Sequence, residues 1–366
     1  MKKIVLTGGG TAGHVTPNIA LLPHLKEAGF EVSYIGSYGG IEKKLMEELG
    51  VTYYGISSGK LRRYLDIKNL TDPFRVIKGL SQAKKLIRQI KPDIVFSKGG
   101  FVAVPVVMAA GKCKVPVIIH ESDMTPGLAN RLCQKHALKV CCNFPETVKM
   151  IPDSKGVLTG SPIRQELLCG DRAAGLNFCG FNTSKPVLMI IGGSLGAAHV
   201  NDAVRAVLPA LLERFQIIHV CGKGKTYPTL DGTAGYRQFE YVTDELKDLF
   251  AAADVVISRA GANVICELLA MRKPNLLIPL PAEASRGDQL LNAASFQKQG
   301  YSAVLEESEI KGDALLNAVI KLYEQRDKYI ETMSNSRQKD SIAAIVRLIQ
   351  QYSKSDTPPQ AAGHKA

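Results

Sequence analysis

The chain has 366 residues, 45% of them hydrophobic and 22% charged, which excludes global disorder and supplies apolar material for two cores, since compact domains cluster at roughly 100–200 residues. Its formal net charge of +12 is concentrated in the first half, where 23 Lys/Arg face 12 Asp/Glu between Met1 and Gly160. No run approaches the ~20 apolar residues of a spanning helix, so any membrane contact is expected to be peripheral.

In chain order, Met1-Lys2-Lys3 has signal-like charge, but Gly8-Gly9-Gly10 interrupts the apolar run after Ile4-Val5-Leu6. The segment is read as a first strand entering a glycine loop, Gly8 to Gly13, that opens a helix. Pro17 falls in the first turn of that helix and Pro23 inside it, where proline costs ~3 kcal/mol or kinks the chain. A second strand, Val32 to Ile35, ends at Gly36. From Lys60 to Lys91 ten basic residues interleave with Leu61, Leu65, Leu70, Phe74, Ile77, Leu80, Leu86 and Ile87 against Asp66 and Asp72 alone. That pattern fits either an anionic membrane surface or a basic helix whose apolar side faces a core; with few aromatics and no reader motif, nucleic acid is not expected.

Apolar strands follow at Ile94-Val95-Phe96, Val115 to Ile119 and Val140-Cys141-Cys142. After a turn at Gly160-Ser161-Pro162 the plan repeats: Val187 to Ile191 runs into Gly192-Gly193-Ser194-Leu195-Gly196, and further strands follow at Ile217 to Val220, Val255-Val256-Ile257 and Leu276-Leu277-Ile278. Apolar strands alternating with helices predict parallel sheets covered on both faces. The expected organisation is a first domain over 1–162, a second over 163–339, a late helix over about 340–352 packing back on the first, and a disordered tail over 353–366. Eight cysteines without a Cys-x-x-Cys pair, and no secretory signal, predict reduced, mostly buried thiols and a cytoplasmic protein.

Both glycine loops suit a phosphate, because glycine lets the backbone approach and helix N-termini supply N–H groups. A nicotinamide cofactor is disfavoured: the second strand ends Tyr34-Ile35-Gly36-Ser37, without the acid that binds a ribose. Gly192-Gly193-Ser194-Leu195-Gly196 also matches a hydrolase elbow, but the later histidines, His199, His219 and His364, are badly placed for a triad. The turn Ser97-Lys98-Gly99-Gly100-Phe101 serves either close helix–strand packing or a substrate.

Taken together, Gly8 to His14, His120-Glu121-Ser122-Asp123, Gly160 to Arg164, Gly192 to Ala197, Ser258 to Asn263 through Glu267, and Asp288-Gln289 with Asn292 resemble the MurG family over about residues 1–350. Those peptidoglycan glycosyltransferases make lipid II from lipid I and UDP-N-acetylglucosamine at the cytoplasmic face of the cell membrane. The resemblance implies an α/β protein of two doubly wound Rossmann-like domains facing a cleft, the glycosyltransferase-B type, with an inverting single displacement and no cofactor. It places the diphosphate on Arg164 and Ser194, the uracil on the Val242 backbone, the nucleotide along Ala262, Asn263, Val264, Ile265 and Cys266, the ribose on Glu267, and the sugar on Gln289 and Asn292. Thr11, Ala12 and Gly13 border the donor from the other side, and Asp123 belongs to the acceptor side, where Asp123 and Phe101 depart from the family's usual asparagine and tyrosine.

Inversion needs one base, and His14 at a helix start, where the dipole favours neutral imidazole, is the candidate; a histidine merely hydrogen-bonded at the turn is the plainer alternative. Charge growing on the departing UDP calls for Arg164 and a helix N-terminus rather than a metal, and no Asp-x-Asp pair is present. Glu267 has a second explanation as a first-turn acid behind an Asn263 cap, and Arg164 as a boundary ion pair. The competing activities are transfer to another lipid, such as diacylglycerol, and UDP-N-acetylglucosamine 2-epimerisation.

Overall fold

The computed structural model describes residues 1–59, 72–192, 197–285, 287–336, 338 and 340–353. The first half contains β1 (Lys2–Thr7), α1 (Ala12–Glu27), β2 (Phe30–Ser37), α2 (Ile41–Glu48), β3 (Thr52–Ile56), α3 (Asp72–Ile90), β4 (Ile94–Ser97), α4 (Ala103–Lys112), β5 (Val117–Glu121), α5 (Leu128–Cys133), β6 (Lys139–Cys142), α6 (Pro145–Met150) and β7 (Gly156–Leu158). The second contains α7 (Arg172–Cys179), β8 (Val187–Ile191), α8 (Ala198–Ala206), α9 (Leu208–Arg214), β9 (Gln216–Val220), β10 (Tyr236–Phe239), α10 (Leu246–Ala252), β11 (Val255–Ser258), α11 (Ala262–Ala270), β12 (Asn275–Leu277), α12 (Ala282–Ser285), α13 (Asp288–Lys298), β13 (Ala303–Val304), α14 (Asp313–Glu324), α15 (Arg326–Ser334) and α16 (Ser341–Tyr352).

The strands form two sheets, ordered β3-β2-β1-β4-β5-β6-β7 and β10-β9-β8-β11-β12-β13, and their ladders are parallel. Strands apolar at every position bury both faces. In β1, Ile4 and Leu6 join one cluster with Phe96, while Val5 joins another with Val95 and Ile119. Likewise in β8, Leu188 and Ile190 face one core and Val187 and Met189 the other. Ile342, Ile345 and Ile349 of α16 pack into the Ile4–Leu6 cluster, so the last helix covers the first sheet. In each sheet the strand order reverses beside its first strand, at β1/β4 and β8/β11, where diverging loops leave a crevice for a ligand.

Helix α1 runs through both prolines. Pro17 has no N–H to offer the Gly13 carbonyl one turn back, and that oxygen instead accepts Asn263 Nδ2 from α11 at 3.1 Å. Pro23 is exposed, and nothing in the structure explains it.

Of the basic segment, 60–71 lies outside the described residues. On α3, Ala83, Ile87 and Ile90 are buried and Leu80 and Leu86 pack against the same core, while Ile77 is 65% exposed beside exposed Arg75, Lys78, Lys85 and Arg88. Most of this stripe's apolar side therefore faces inward. No helix among the described residues is long and apolar enough to cross a membrane. All eight cysteines are unpaired, with Cys169 exposed and Cys113 half-buried. Residues 354–366 of the expected disordered tail lie outside the described residues; Ser353 is buried and its hydroxyl accepts from Lys2 Nζ at 3.0 Å.

Candidate functional site

The first glycine loop leaves β1 and starts α1, with Thr11 at the N-cap and the His14 amide closing on the Thr11 carbonyl at 3.1 Å. Thr11, His14, Phe101 and Asp123 line a cavity of ≈ 1050 Å³, to which the second sheet's domain adds Asp288. The Ser97-to-Phe101 turn is tightly packed and also opens on this cavity. Gly100, at φ +82°, packs so closely that a Cβ there would lie 2.5 Å from the Gly9 carbonyl and 3.2 Å from His14 Cδ2, and Gly100 and Phe101 also face the cavity.

Burial first, and then the charge of Lys98, pushes the His14 imidazole down from 6.5 to about 4, with a hydrogen bond to the Lys98 backbone opposing. The ring is therefore neutral near pH 7. Its buried Nδ1 has no hydrogen-bond partner among the described residues.

Glu42, which sequence reasoning missed, holds the loop from beneath. Fully buried in the first turn of α2, its carboxylate accepts from Ser37 Oγ at 2.6 Å, the Ser37 amide at 3.0 Å and the Gly10 amide at 3.4 Å. A Cβ on Gly9 would fall 2.6 Å from that carboxylate, so the loop's middle glycine makes room for a buried acid. The only local signal was an acid following Gly39-Gly40.

Across the crevice, α11 starts at the switch point of the second sheet with Gly261 as its N-cap. This corrects the expectation of an Asn263 cap. Asn263 lies inside the helix, and Glu267 sits in the second turn, beyond the reach of the terminal dipole. Glu267 instead faces Arg164, Oε1 to Nη2 3.8 Å; burial raises its carboxyl and Arg164 opposes the rise. Ala262, Ile265 and Cys266 are buried, while Val264 and Val242 pack on the same core from neighbouring positions. Ser194 and the side chain of Ala12 lie outside the described residues.

Gln289 Oε1 accepts the Leu280 amide at 3.1 Å. Asn292 is fully buried: its Oδ1 accepts the Met124 amide at 3.1 Å, and its Nδ2 donates to the Ala260 carbonyl at 3.2 Å and to Asp123 Oδ1 at 3.4 Å. Thr125 Oγ1 donates to Asp288 Oδ1 at 3.1 Å, and Ser295 Oγ to Glu146 Oε2 at 2.8 Å. Asp288, Asn292 and Ser295 recur at helical spacing, so one face of α13 seams the second domain to the loop that follows β5 and to α6. In this structure Asn292 and Asp123, both expected at substrates, are bonded to each other. Among the described residues no cluster of three or more His, Cys, Asp or Glu is placed to hold a metal ion.

Two doubly wound parallel sheets, each with its switch point opening on a crevice, have the two-domain architecture of the glycosyltransferase-B type. In keeping with this, residues 4–142 match the glycosyltransferase family 28 N-terminal domain and residues 187–348 the glycosyltransferase family 28 C-terminal domain. Within that class the chain belongs to the MurG family. It is 67% identical to a protein of Lachnospira eligens over 97% of this chain and all of that one, and 63% identical to one of Lachnoclostridium phytofermentans over 96% of this chain and 99% of that one. Both are named UDP-N-acetylglucosamine--N-acetylmuramyl-(pentapeptide) pyrophosphoryl-undecaprenol N-acetylglucosamine transferase. The crystal structure of Acinetobacter baumannii MurG superposes with a TM-score of 0.74 at 26% identity, covering 96% of this chain and all of that one.

Proposed function

We propose that the chain transfers N-acetylglucosamine from UDP-N-acetylglucosamine to the N-acetylmuramoyl sugar of lipid I, with inversion, to give lipid II. The observation that carries this reading is the junction of two sites: the His14 cavity in the first domain adjoins α11, and Gly13 and Asn263 are hydrogen-bonded at 3.1 Å. A donor along α11 therefore lies beside an acceptor in the cavity, the proximity that single displacement requires.

Arg164 takes charge from the departing diphosphate and Glu267 binds the ribose; the two side chains face each other 3.8 Å apart beside the start of α11. His14 accepts the acceptor hydroxyl proton. A neutral ring facing the cavity can do so, and the acceptor's own diphosphate bound nearby raises its basicity. Asn292 and Asp123, hydrogen-bonded to each other, bring the donor side and the acceptor side together along the α13 seam. The exposed cations and Ile77 of α3 dock the protein on the anionic cytoplasmic face of the cell membrane.

Labelled UDP-N-acetylglucosamine incubated with lipid I, and with diacylglycerol as control acceptor, tests the reading. Label in lipid II alone supports it; label in the control lipid, or free N-acetylmannosamine from epimerisation, refutes it.

A further inference from the structure

Lys98 lies at the floor of the crevice, beneath the first glycine loop. It is 1% exposed. Its amide donates to the Thr7 carbonyl at 2.9 Å, bridging the tips of β1 and β4, and its Cβ is 3.3 Å from where a Cβ on Gly8 would stand. The positive φ of Gly99 and Gly100 turns the chain away immediately afterwards, so the lysine side chain runs inward under the first glycine loop while Gly100 closes over His14.

The ammonium is held by neutral groups. Nζ donates to His120 Nδ1 at 2.9 Å and makes a short hydrogen bond to Ser122 Oγ. The tautomer of His120 follows from its other nitrogen: Nε2 faces the Gly160 carbonyl at 2.9 Å, so Nε2 carries the hydrogen and Nδ1 accepts from lysine. The nearby carboxylates Glu121 and Asp123 act on the lysine through their charge, which favours its ammonium form. Glu121 is spent on the amides of Asp123 and Gly127 and on Asn130, and Asp123 accepts from Asn292. The titratable groups that act on Lys98 are Cys266 on α11, Glu121 on β5, Asp123 in the following loop and Cys141 on β6, with His14 and His120 themselves. Burying a cation costs several kcal/mol unless something fixes it, so a fully buried lysine on two neutral acceptors is retained for what its charge does to its surroundings.

We propose that Lys98 is a positioning residue for the transfer, its buried ammonium anchored on His120 and Ser122 beneath the first glycine loop and keeping the neighbouring His14 imidazole free to accept a proton. The inference rests on the reading of His14 as the base. Burial lowers the lysine to about 8, which leaves it mostly charged near neutrality. Its charge is the second cause, after burial, of the lowering at both His14 and His120. Protonating either ring would put two cations side by side in a dry site. Lys98 thus keeps both rings neutral before the reaction, and through His120 it also holds the Gly160 carbonyl at the turn that follows β7.

Lys98→Met, Lys98→Gln and Lys98→Arg separate charge from packing. Met and Gln keep the length of the side chain without its charge, and Arg keeps the charge. Two measurements on the intact protein are needed: the pH profile of kcat/KM on lipid I, and the titration of His14 followed by NMR of selectively labelled histidine, assigned with His14→Gln. In Met and Gln variants the His14 titration is expected to move to higher pH, and the ratio of activity at pH 5 to that at pH 8 to fall about two- to fivefold below wild type, with Arg close to wild type. A His14 titration that moves without the acid limb following upholds the role of Lys98 and removes His14 as the base. An unmoved titration, with kcat lowered equally at every pH, overturns the proposal and leaves Lys98 a packing residue.

Discussion

Asn263 Nδ2 donates across the crevice to the Gly13 carbonyl at 3.1 Å, an acceptor that a helix would ordinarily have consumed. It is vacant because the residue four positions on is Pro17, which has no N–H. A proline that looks like a local defect in α1 thereby supplies a contact between the two domains. Pro17→Ala is expected to return that carbonyl to the helix and lower kcat/KM by a factor worth roughly 0.5–1.5 kcal/mol, the net value of one hydrogen bond. Since both residues act through the same bond, adding Asn263→Ala in the Pro17→Ala background should cost nothing further; additive losses in the double-mutant cycle would sink this account.

Replacing His14 with Ala is expected to reduce kcat by about 10²–10⁴ while UDP affinity by calorimetry stays within a few-fold, because the ring faces the acceptor cavity rather than α11. Undiminished turnover would remove it from the mechanism.

Histidines that burial holds neutral, His14, His120 and His219, make stability sensitive to acid. His219 is fully buried with its ring between Tyr236 Oη at 2.9 Å and Asn201 Oδ1 at 3.0 Å, and burial, then Arg205, lowers it from 6.5 to about 3. His14 is lowered to about 4. The unfolded chain binds more protons below pH 6.5, so this stability is complete above 6.5 and is lost as pH falls toward 3. Melting curves from pH 8 to pH 4 should show a declining Tm, and His219→Gln should start lower but decline less. A wild-type Tm that holds level over that range contradicts the burial of these rings.

Gly9→Ala places a methyl against the Glu42 carboxylate, with no flexible route out because that carboxylate is bonded to Ser37 and Gly10. Overpacking of this kind costs about 1–3 kcal/mol. The expected result is a stable but nearly inactive loop variant, and part of the activity should return on adding Glu42→Asp, which retracts the carboxylate by one methylene. No recovery in the double variant would mean that the loop fails for another reason.

Charge reversal at Arg75, Lys85 and Arg88 should weaken co-sedimentation with vesicles of anionic lipid by about 1 kcal/mol per residue and more so at low salt, and leave catalysis on a short-chain soluble acceptor unaltered. Binding that ignores both lipid charge and salt would reject α3 as a docking face.

Much of this protein is written in local patterns. Ile4-Val5-Leu6 before Gly8, and Val187 to Ile191 before Gly192, read as strands entering glycine turns because apolar periodicity and backbone freedom are properties of adjacent residues. The two sheets, their parallel sense and the position of His14 at a helix start follow from such patterns. Other features have partners far away in the chain, and no local rule could pair them. Glu42 under Gly10, Lys98 on His120, and Asn292 on the Met124 amide, 168 positions distant, exist only once the sheets bring their loops to one crevice. The cap of α11 shows the same division: Asn263 has the side chain of a cap, yet Gly261 takes that position, because the folded crevice gives the asparagine a better use on the carbonyl that Pro17 leaves open. Short-range stereochemistry decided which segments are strands, turns and helices; burial, charge and hydrogen-bond satisfaction across the assembled cleft decided what each polar group does there.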